Sequence, residues 1–372
     1  MTDRDALIIL NMISGIGPVR VKELLGIFDS PARLLQLSAK EIASVPGIGK
    51  KLAETVVAWK ESVKYEEELT MVERAGVKLI TQLDPEYPSL LKEIYDPPLV
   101  LYVHGELPAE SEYTLGIVGS RRFSNYGRKM AEYLALSASS ANWCVISGLA
   151  YGIDSVAHRT VVENNGKTVA VLGGGLARVH PQDHIPLAKE IIEKGGAVIS
   201  EFPMTYSPNK RSFPMRNRII SGMSRGLLVV EAGFKSGSLI SAKFALEQGR
   251  LVFAVPGQAD NPQAKGTNSL IRDGAVITET FDDILNEFEF LPGMKHLESN
   301  DESTVSGGEG LNLNLSMEES EILKFLQEKR EASADAIALE SKIPMGGLLA
   351  ALMQLEMKRL IVQLPGKRFA VK

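Results

Sequence analysis

Along the middle of the chain, short unbroken apolar runs alternate with segments whose apolar residues recur every three or four positions. The runs fall at 115–118, 143–146, 168–172, 197–200, 227–230, 251–255 and 275–278. A run that is apolar at successive positions fits a strand buried on both faces, and a 3.6-residue period fits the helix that carries the chain to the next parallel strand. The pattern therefore predicts an α/β fold, a doubly wound, mostly parallel Rossmann-like sheet. One further run, 99–103, follows the proline-punctuated stretch 84–98 and reads as a strand leading toward the main domain. Ligands on such sheets sit outside the carboxyl ends of the strands, so the residues that follow each run are where binding chemistry is sought.

The flanks have a different pattern. Residues 1–65 are helical in period and form a small all-helical N-terminal domain. It carries two glycine turns, Ile13-Ser14-Gly15-Ile16-Gly17-Pro18 and Val45-Pro46-Gly47-Ile48-Gly49-Lys50. Each resembles a helix-hairpin-helix motif of the SAM-like kind, which aims backbone N–H groups at a phosphate. The same spacing serves equally well as a tight helix–helix turn. The main domain is read as 66–290. Residues 291–311, rich in Ser, Gly, Glu and Asp, are read as a flexible linker. Residues 312–372 form a winged-helix pattern, with helices at 318–327, 333–341 and 346–360 and a hairpin of 361–363 with 368–371 around Pro365-Gly366. Lys358, Arg359, Lys367 and Arg368 make its wing basic, but Glu318, Glu319, Glu321, Glu328 and Glu331 bring the domain near neutrality. Protein interaction and weak duplex contact fit it equally.

Composition narrows the function classes. The 372 residues are 44% hydrophobic and 23% charged, enough for more than one core. A net charge of −5 excludes a uniformly basic nucleic-acid coat, so any nucleic-acid site has to be a local patch. The single cysteine, Cys144, lies inside an apolar run and reads as a small buried hydrophobe. No run approaches the ~18 apolar residues of a membrane span, and Met1-Thr2-Asp3-Arg4-Asp5-Ala6 does not read as a secretory leader. A cytoplasmic protein without a membrane partner is expected.

Two strand ends carry the strongest chemistry. Gly119-Ser120-Arg121-Arg122 follows the first run, where small residues admit a ligand and a guanidinium can fork onto phosphate oxygens. Lys210-Arg211-Ser212-Phe213-Pro214-Met215-Arg216-Asn217-Arg218 sets cations, an aromatic and an amide around a helix start. A ring beside phosphate-binding cations suits sequence-tolerant single-strand binding. From this segment alone, Phe213 reads equally as a stacking platform and as a core residue beside solvated or ion-paired arginines. Weaker candidates are set aside. Gly166-Lys167-Thr168 lacks the upstream glycine of a phosphate loop, and Gly173-Gly174-Gly175 lacks dinucleotide spacing. The His180/His184 pair is interrupted by Pro181, and Asp154 with His158 reads as a helix-start carboxylate and a hydrogen-bonding imidazole. No cofactor, metal or catalytic residue is assigned.

Taken together, Val118-Gly119-Ser120-Arg121, Ser147-Gly148-Leu149-Ala150-Tyr151-Gly152-Ile153-Asp154, the Phe213 to Gly222 segment, Ser236-Gly237-Ser238-Leu239-Ile240 and Val255-Pro256-Gly257 closely resemble the DprA/Smf family. The likeness runs from about residue 80 to 290, in order and spacing. It implies a non-enzymatic protein that binds incoming single-stranded DNA during natural transformation, protects it and helps load the RecA recombinase. It also implies a homodimer. The family's DNA pocket carries over to Gly119, Ser120, Arg121, Lys210, Phe213, Arg216, Asn217 and Arg218. Where members commonly have Tyr-Pro, a lysine or proline, then Asn, this chain has His180-Pro181-Gln182-Asp183-His184, so one cation used there is missing. The rival from another class is a Rossmann-like nucleoside monophosphate phosphoribohydrolase. Its Pro-Gly-Gly-x-Gly-Thr run is replaced here by Glu231-Ala232-Gly233-Phe234-Lys235-Ser236-Gly237-Ser238.

Overall fold

The computed structural model describes residues 1–109, 113–288 and, nearer the C-terminus, 322–326, 329, 331–333, 337, 348, 351–352, 355, 361–364 and 368–371. The chain divides into two compact units, Met1–His296 and Leu297–Lys372.

The first unit is built on a nine-stranded sheet. Its strands are β1 (Lys78–Thr81), β2 (Val100–Gly105), β3 (Thr114–Val118), β4 (Cys144–Ser147), β5 (Thr168–Val171), β6 (Ala197–Ser200), β7 (Gly226–Val229), β8 (Leu251–Ala254) and β9 (Val276–Ile277). They lie in the order β1-β2-β6-β5-β4-β3-β7-β8-β9. The seven runs of the central pattern are β3 to β9, and all their mutual pairings are parallel. The strand read at 99–103 forms as β2 (Val100–Gly105), which joins the sheet antiparallel to β6 and carries β1 outside it.

Successive residues of a strand point to opposite faces, and both faces are covered here. Ile117, Val145 and Leu228 face the helices Asn125–Ser140 and Ile153–Glu163. Their neighbours Val118, Ile146 and Val229 face the helices Ser212–Gly222 and Ser238–Glu247. The order of strands reverses between β3 and β7, so the carboxyl ends of those two strands flank the crevice where such sheets bind ligands.

The N-terminal helices bury one face of β2. Leu7, Leu10, Leu24 and Leu34 share a core with Val100 and Tyr102. Gly15 and Gly47 take positive φ in the two turns, which lead into the helices Pro18–Phe28 and Lys50–Val57. The outer edge of β1 is closed by side chains: Arg4 donates to the Leu79 carbonyl at 2.6 Å, and Thr81 N donates to Asp84 at 2.7 Å. An edge so capped offers no free ladder to another chain.

In the second unit, β10 (Glu331–Ser333), β11 (Ile361–Leu364) and β12 (Arg368–Val371) form an antiparallel sheet in the order β10-β12-β11. Ile322, Leu326, Leu348, Leu352, Leu355 and Phe369 belong to its core. The β11/β12 hairpin falls where the sequence places it. Ser333, read from the sequence as a helix start, instead ends β10 opposite Arg368, because Ala332 turns into the core while the backbone pairs with β12. The linker 291–311, the turn Pro365-Gly366, and Lys358, Arg359 and Lys367 lie outside the described residues.

Candidate nucleic-acid interface

At the end of β3 the chain turns through Gly119-Ser120-Arg121-Arg122-Phe123-Ser124, and neighbouring strand ends fix the turn. Ser120 N donates to the Glu231 carbonyl at 2.6 Å, and the Ser120 carbonyl accepts from Ile153 N at 3.2 Å. At the far end, Ser124 N and Oγ both donate to the buried Glu231 carboxylate at 2.8 Å. Ser124 Oγ also accepts from Gly127 N, capping the next helix. Gly152 presses against this turn with φ +95; a Cβ there would overlap the Ser120 carbonyl and Arg121 Cα. Pinned at both ends, the turn leaves Arg121 and Arg122 exposed.

Phe213 lies in the first turn of the helix Ser212–Gly222, half-buried against Gly173. The Arg121 guanidinium carbon sits 5.7 Å from the Phe213 ring centroid, and His180 lies on another side at 5.8 Å. Lys210 is exposed just before this helix. The Asn209 side-chain carbonyl accepts from Arg211 N at 2.9 Å and Ser212 N at 3.2 Å, which sets the approach to the helix.

Arg216 and Arg218 sit on the same helix and differ in what they face. Arg216 is 4% exposed; its guanidinium donates to the carbonyls of Gly148 and Val171, and through Nε to Asn217 Oδ1 at 3.1 Å. Gly148 has no room for a side chain, because a Cβ would overlap that guanidinium. Burial pulls the Arg216 pKa down to about 10, against the opposing pull of Asp154. Burial pushes the Asp154 carboxyl up; Arg216, the N–H groups of Ala150 and Gly148, and Arg121 resist it. Arg218 is 2% exposed and turned away, paired with Glu201 at 2.7 Å and Asp96 at 2.8 Å. Burial would lower its pKa, and those carboxylates outweigh that and raise it. Arg218 therefore leaves the candidate set as a fold-holding residue.

The remaining candidates converge on one cavity of about 760 Å³. Ser120, Arg121, Lys210, Phe213, Arg216 and Asn217 line it, with Gly119 at its base, packed on Ile153. Arg122, Lys235, Ser236 and Gln263 also line it; Arg122 and Ser236 lie in quoted motifs, but none of the four was assigned to the site from the sequence. Lys235 and Ser236 follow β7 and were readable by the strand-end rule, whereas Gln263 arrives from the loop after β8 and approaches Ser120 Oγ at 3.2 Å. Among the described residues Arg121, Arg122, Lys210 and Lys235 have no carboxylate within ion-pair distance. An aromatic face beside uncompensated cations can stack a base and neutralise its phosphate.

Other sequence motifs have local structural partners. His184 Nδ1 lies 2.8 Å from the Leu149 carbonyl, and His158 Nδ1 lies 2.7 Å from Thr168 Oγ1. Tyr151 donates to Asp183 at 2.7 Å. Among the described residues no group of three or more His, Cys, Asp or Glu is placed to hold a metal ion, and no helix is long and apolar enough to cross a membrane.

Comparison with known proteins supplies the family. Residues 78–289 match the model of DNA recombination-mediator protein A, 7–58 match a SAM-like helix-hairpin-helix tandem, and 312–367 match the DprA winged-helix domain. The Smf protein of Escherichia coli is 38% identical over 301 residues, covering 81% of this chain and 79% of its own. The DNA processing protein DprA of Bacillus subtilis is 42% identical over 213 residues, covering 57% of this chain and 71% of its own. Among solved structures, DprA from Streptococcus pneumoniae superposes with a TM-score of 0.66 at 33% identity, over 78% of this chain and 99% of its own. DNA processing protein A from Helicobacter pylori, described by its single-stranded DNA binding mode, gives 0.51 at 25% identity, over 57% of this chain and 97% of its own. A Rossmann-like sheet between a helix-hairpin-helix region and a winged helix, matched over these spans, makes the chain a member of the DNA recombination-mediator protein A family, the DprA/Smf proteins.

Proposed function

We propose that the cavity at the β3/β7 switch point binds single-stranded DNA. One observation carries this reading: Arg121 stands over the half-buried Phe213 ring within a cavity whose exposed cations have no carboxylate partners among the described residues. Family membership and the single-strand binding described for the Helicobacter pylori relative support it. The residues we assign to the strand are Gly119, Ser120, Arg121, Lys210, Phe213, Arg216 and Asn217. Arg216 acts from beneath, holding the cavity floor, and Arg121 with Lys210 supplies the phosphate side.

On the same footing we propose the wider role: a cytoplasmic, non-enzymatic homodimer that protects incoming single strands and helps load RecA recombinase during natural transformation. We keep the division 1–65, 66–290, 291–311 and 312–372 as the working domain boundaries.

Binding of labelled oligo-dT, followed by fluorescence anisotropy across a salt series, tests the reading. Tight, salt-sensitive binding is expected, with duplex of equal length weaker. Phe213→Ala is expected to cost about 1–3 kcal/mol of binding free energy. An affinity that Phe213→Ala leaves unchanged removes the stacking role. Release of free base from AMP would shift the assignment to a phosphoribohydrolase.

A further inference from the structure

Two loops form the lip of the cavity. One is the β3 turn; the other, after β7, runs through Glu231-Ala232-Gly233-Phe234-Lys235-Ser236-Gly237. The two are tied together by Glu231, whose carbonyl holds Ser120 N and whose carboxylate holds Ser124. The lip is thus fixed relative to the cavity it borders.

Phe234 stands at the tip of the second loop. Ser236 N donates to the Gly233 carbonyl at 2.9 Å, closing a tight turn with Phe234 and Lys235 as its central residues. Gly233 and Lys235 line the cavity, and Phe234 does not. Its side chain is 73% exposed, against 38% for Phe123 on the facing loop. A phenyl ring held in water on a short turn contributes nothing to the core, and it neighbours a lysine without a carboxylate partner among the described residues.

We infer that Phe234 is a second stacking platform, which receives a base of the strand once it has left the cavity holding Phe213, with Lys235 meeting the intervening phosphate. This rests on the reading of the cavity as a single-strand site. A polymer seated on Phe213 that leaves over this lip meets there the same pairing found inside, an aromatic face beside a cation without a carboxylate partner among the described residues. That pairing is what a sequence-tolerant single-strand surface uses repeatedly along its track.

Two variants of the full chain test it. Phe234→Trp adds a third tryptophan to Trp59 and Trp143. Its indole emission is expected to quench when oligo-dT of roughly 16 nucleotides binds, since a stacked base contacts the ring directly. Phe234→Ala is expected to weaken that binding roughly five- to hundredfold while leaving the thermal midpoint unchanged. An affinity within about twofold of the parent, or an indole emission indifferent to saturating strand, overturns the inference. Arg121→Ala and Phe213→Ala run in parallel. If they weaken binding and the Phe234 variants are silent, only the lip platform falls; if they too are silent, the reading of the cavity falls with it.

Discussion

The two ends of the central sheet carry cavities of similar size and opposite character. The one beyond the carboxyl ends of β3 and β7 is about 760 Å³ and is lined by Arg121, Arg122, Lys210, Arg216 and Lys235 against the single carboxylate Asp154. At the other end, a cavity of about 860 Å³ near the start of β3 and β7 is lined by Arg4, Lys78 and Arg225 against Asp84, Glu86 and Glu106. Size alone would select the wrong end. At the far end the charges are balanced and partly spent, since Arg4 bonds Asp84 at 3.1 Å and Arg225 lies over the Tyr113 ring at 4.9 Å. At the switch point they are unspent except beneath the surface. A molecule with net charge −5 can thus keep one end locally cationic, and a local field of that sign is what a polyanion responds to.

The sharpest way to break this contrast is to remove the buried arginine that supports the cationic end. Arg216→Ala strands Asp154 and the carbonyls of Gly148 and Val171, and is expected to cost about 3–5 kcal/mol of folding stability in urea unfolding. If the variant unfolds like the parent, Arg216 is not the strut described here. A smaller effect separates the two ends directly. Arg121→Ala is expected to weaken oligo-dT binding and to lower the log–log salt slope by about 0.7, one phosphate's worth. Arg225→Ala at the opposite end should change neither quantity; equal losses from both would mean that net charge, and not the switch-point cavity, attracts the strand.

Much of this was legible in the sequence, because parallel strands buried on both faces leave unbroken apolar runs. All seven runs became strands, and the strand-end rule led to Gly119, Ser120, Arg121 and Phe213. The strand at 99–103 was legible, but its antiparallel place in the sheet and the addition of β1 were not, since an antiparallel pair recruited to the edge depends on the helices that cover Val100 and Tyr102. Nor was the parting of Arg216 from Arg218. Residues two apart on a helix face different directions, so one reaches the cavity while the other turns to Glu201 and Asp96. Gln263 escaped notice because its neighbours in space come from other strands.

The layer beneath the cationic end also carries a pH dependence. His158 is wholly buried on the helix Ile153–Glu163, and burial first, then the charges of Arg216 and His184, lower its pKa from the ordinary 6.5 to about 3. Thr168 Oγ1 gives its proton to the Val145 carbonyl at 2.7 Å, so the contact with His158 at 2.7 Å requires Nδ1–H as donor, and burial keeps the ring neutral. Between pH 3 and 6.5 the unfolded chain takes up a proton that the folded one refuses, so stability is full above 6.5 and falls as the pH drops through that window. The slope from this residue is at most about 1.4 kcal/mol per pH unit. Urea unfolding of the parent and of His158→Asn across that window measures it. The asparagine keeps a donor for Thr168 without a titrating ring, and its stability should fall less steeply with acid by up to about one proton. Parallel slopes in the two proteins would mean that His158 is not the source of the acid sensitivity.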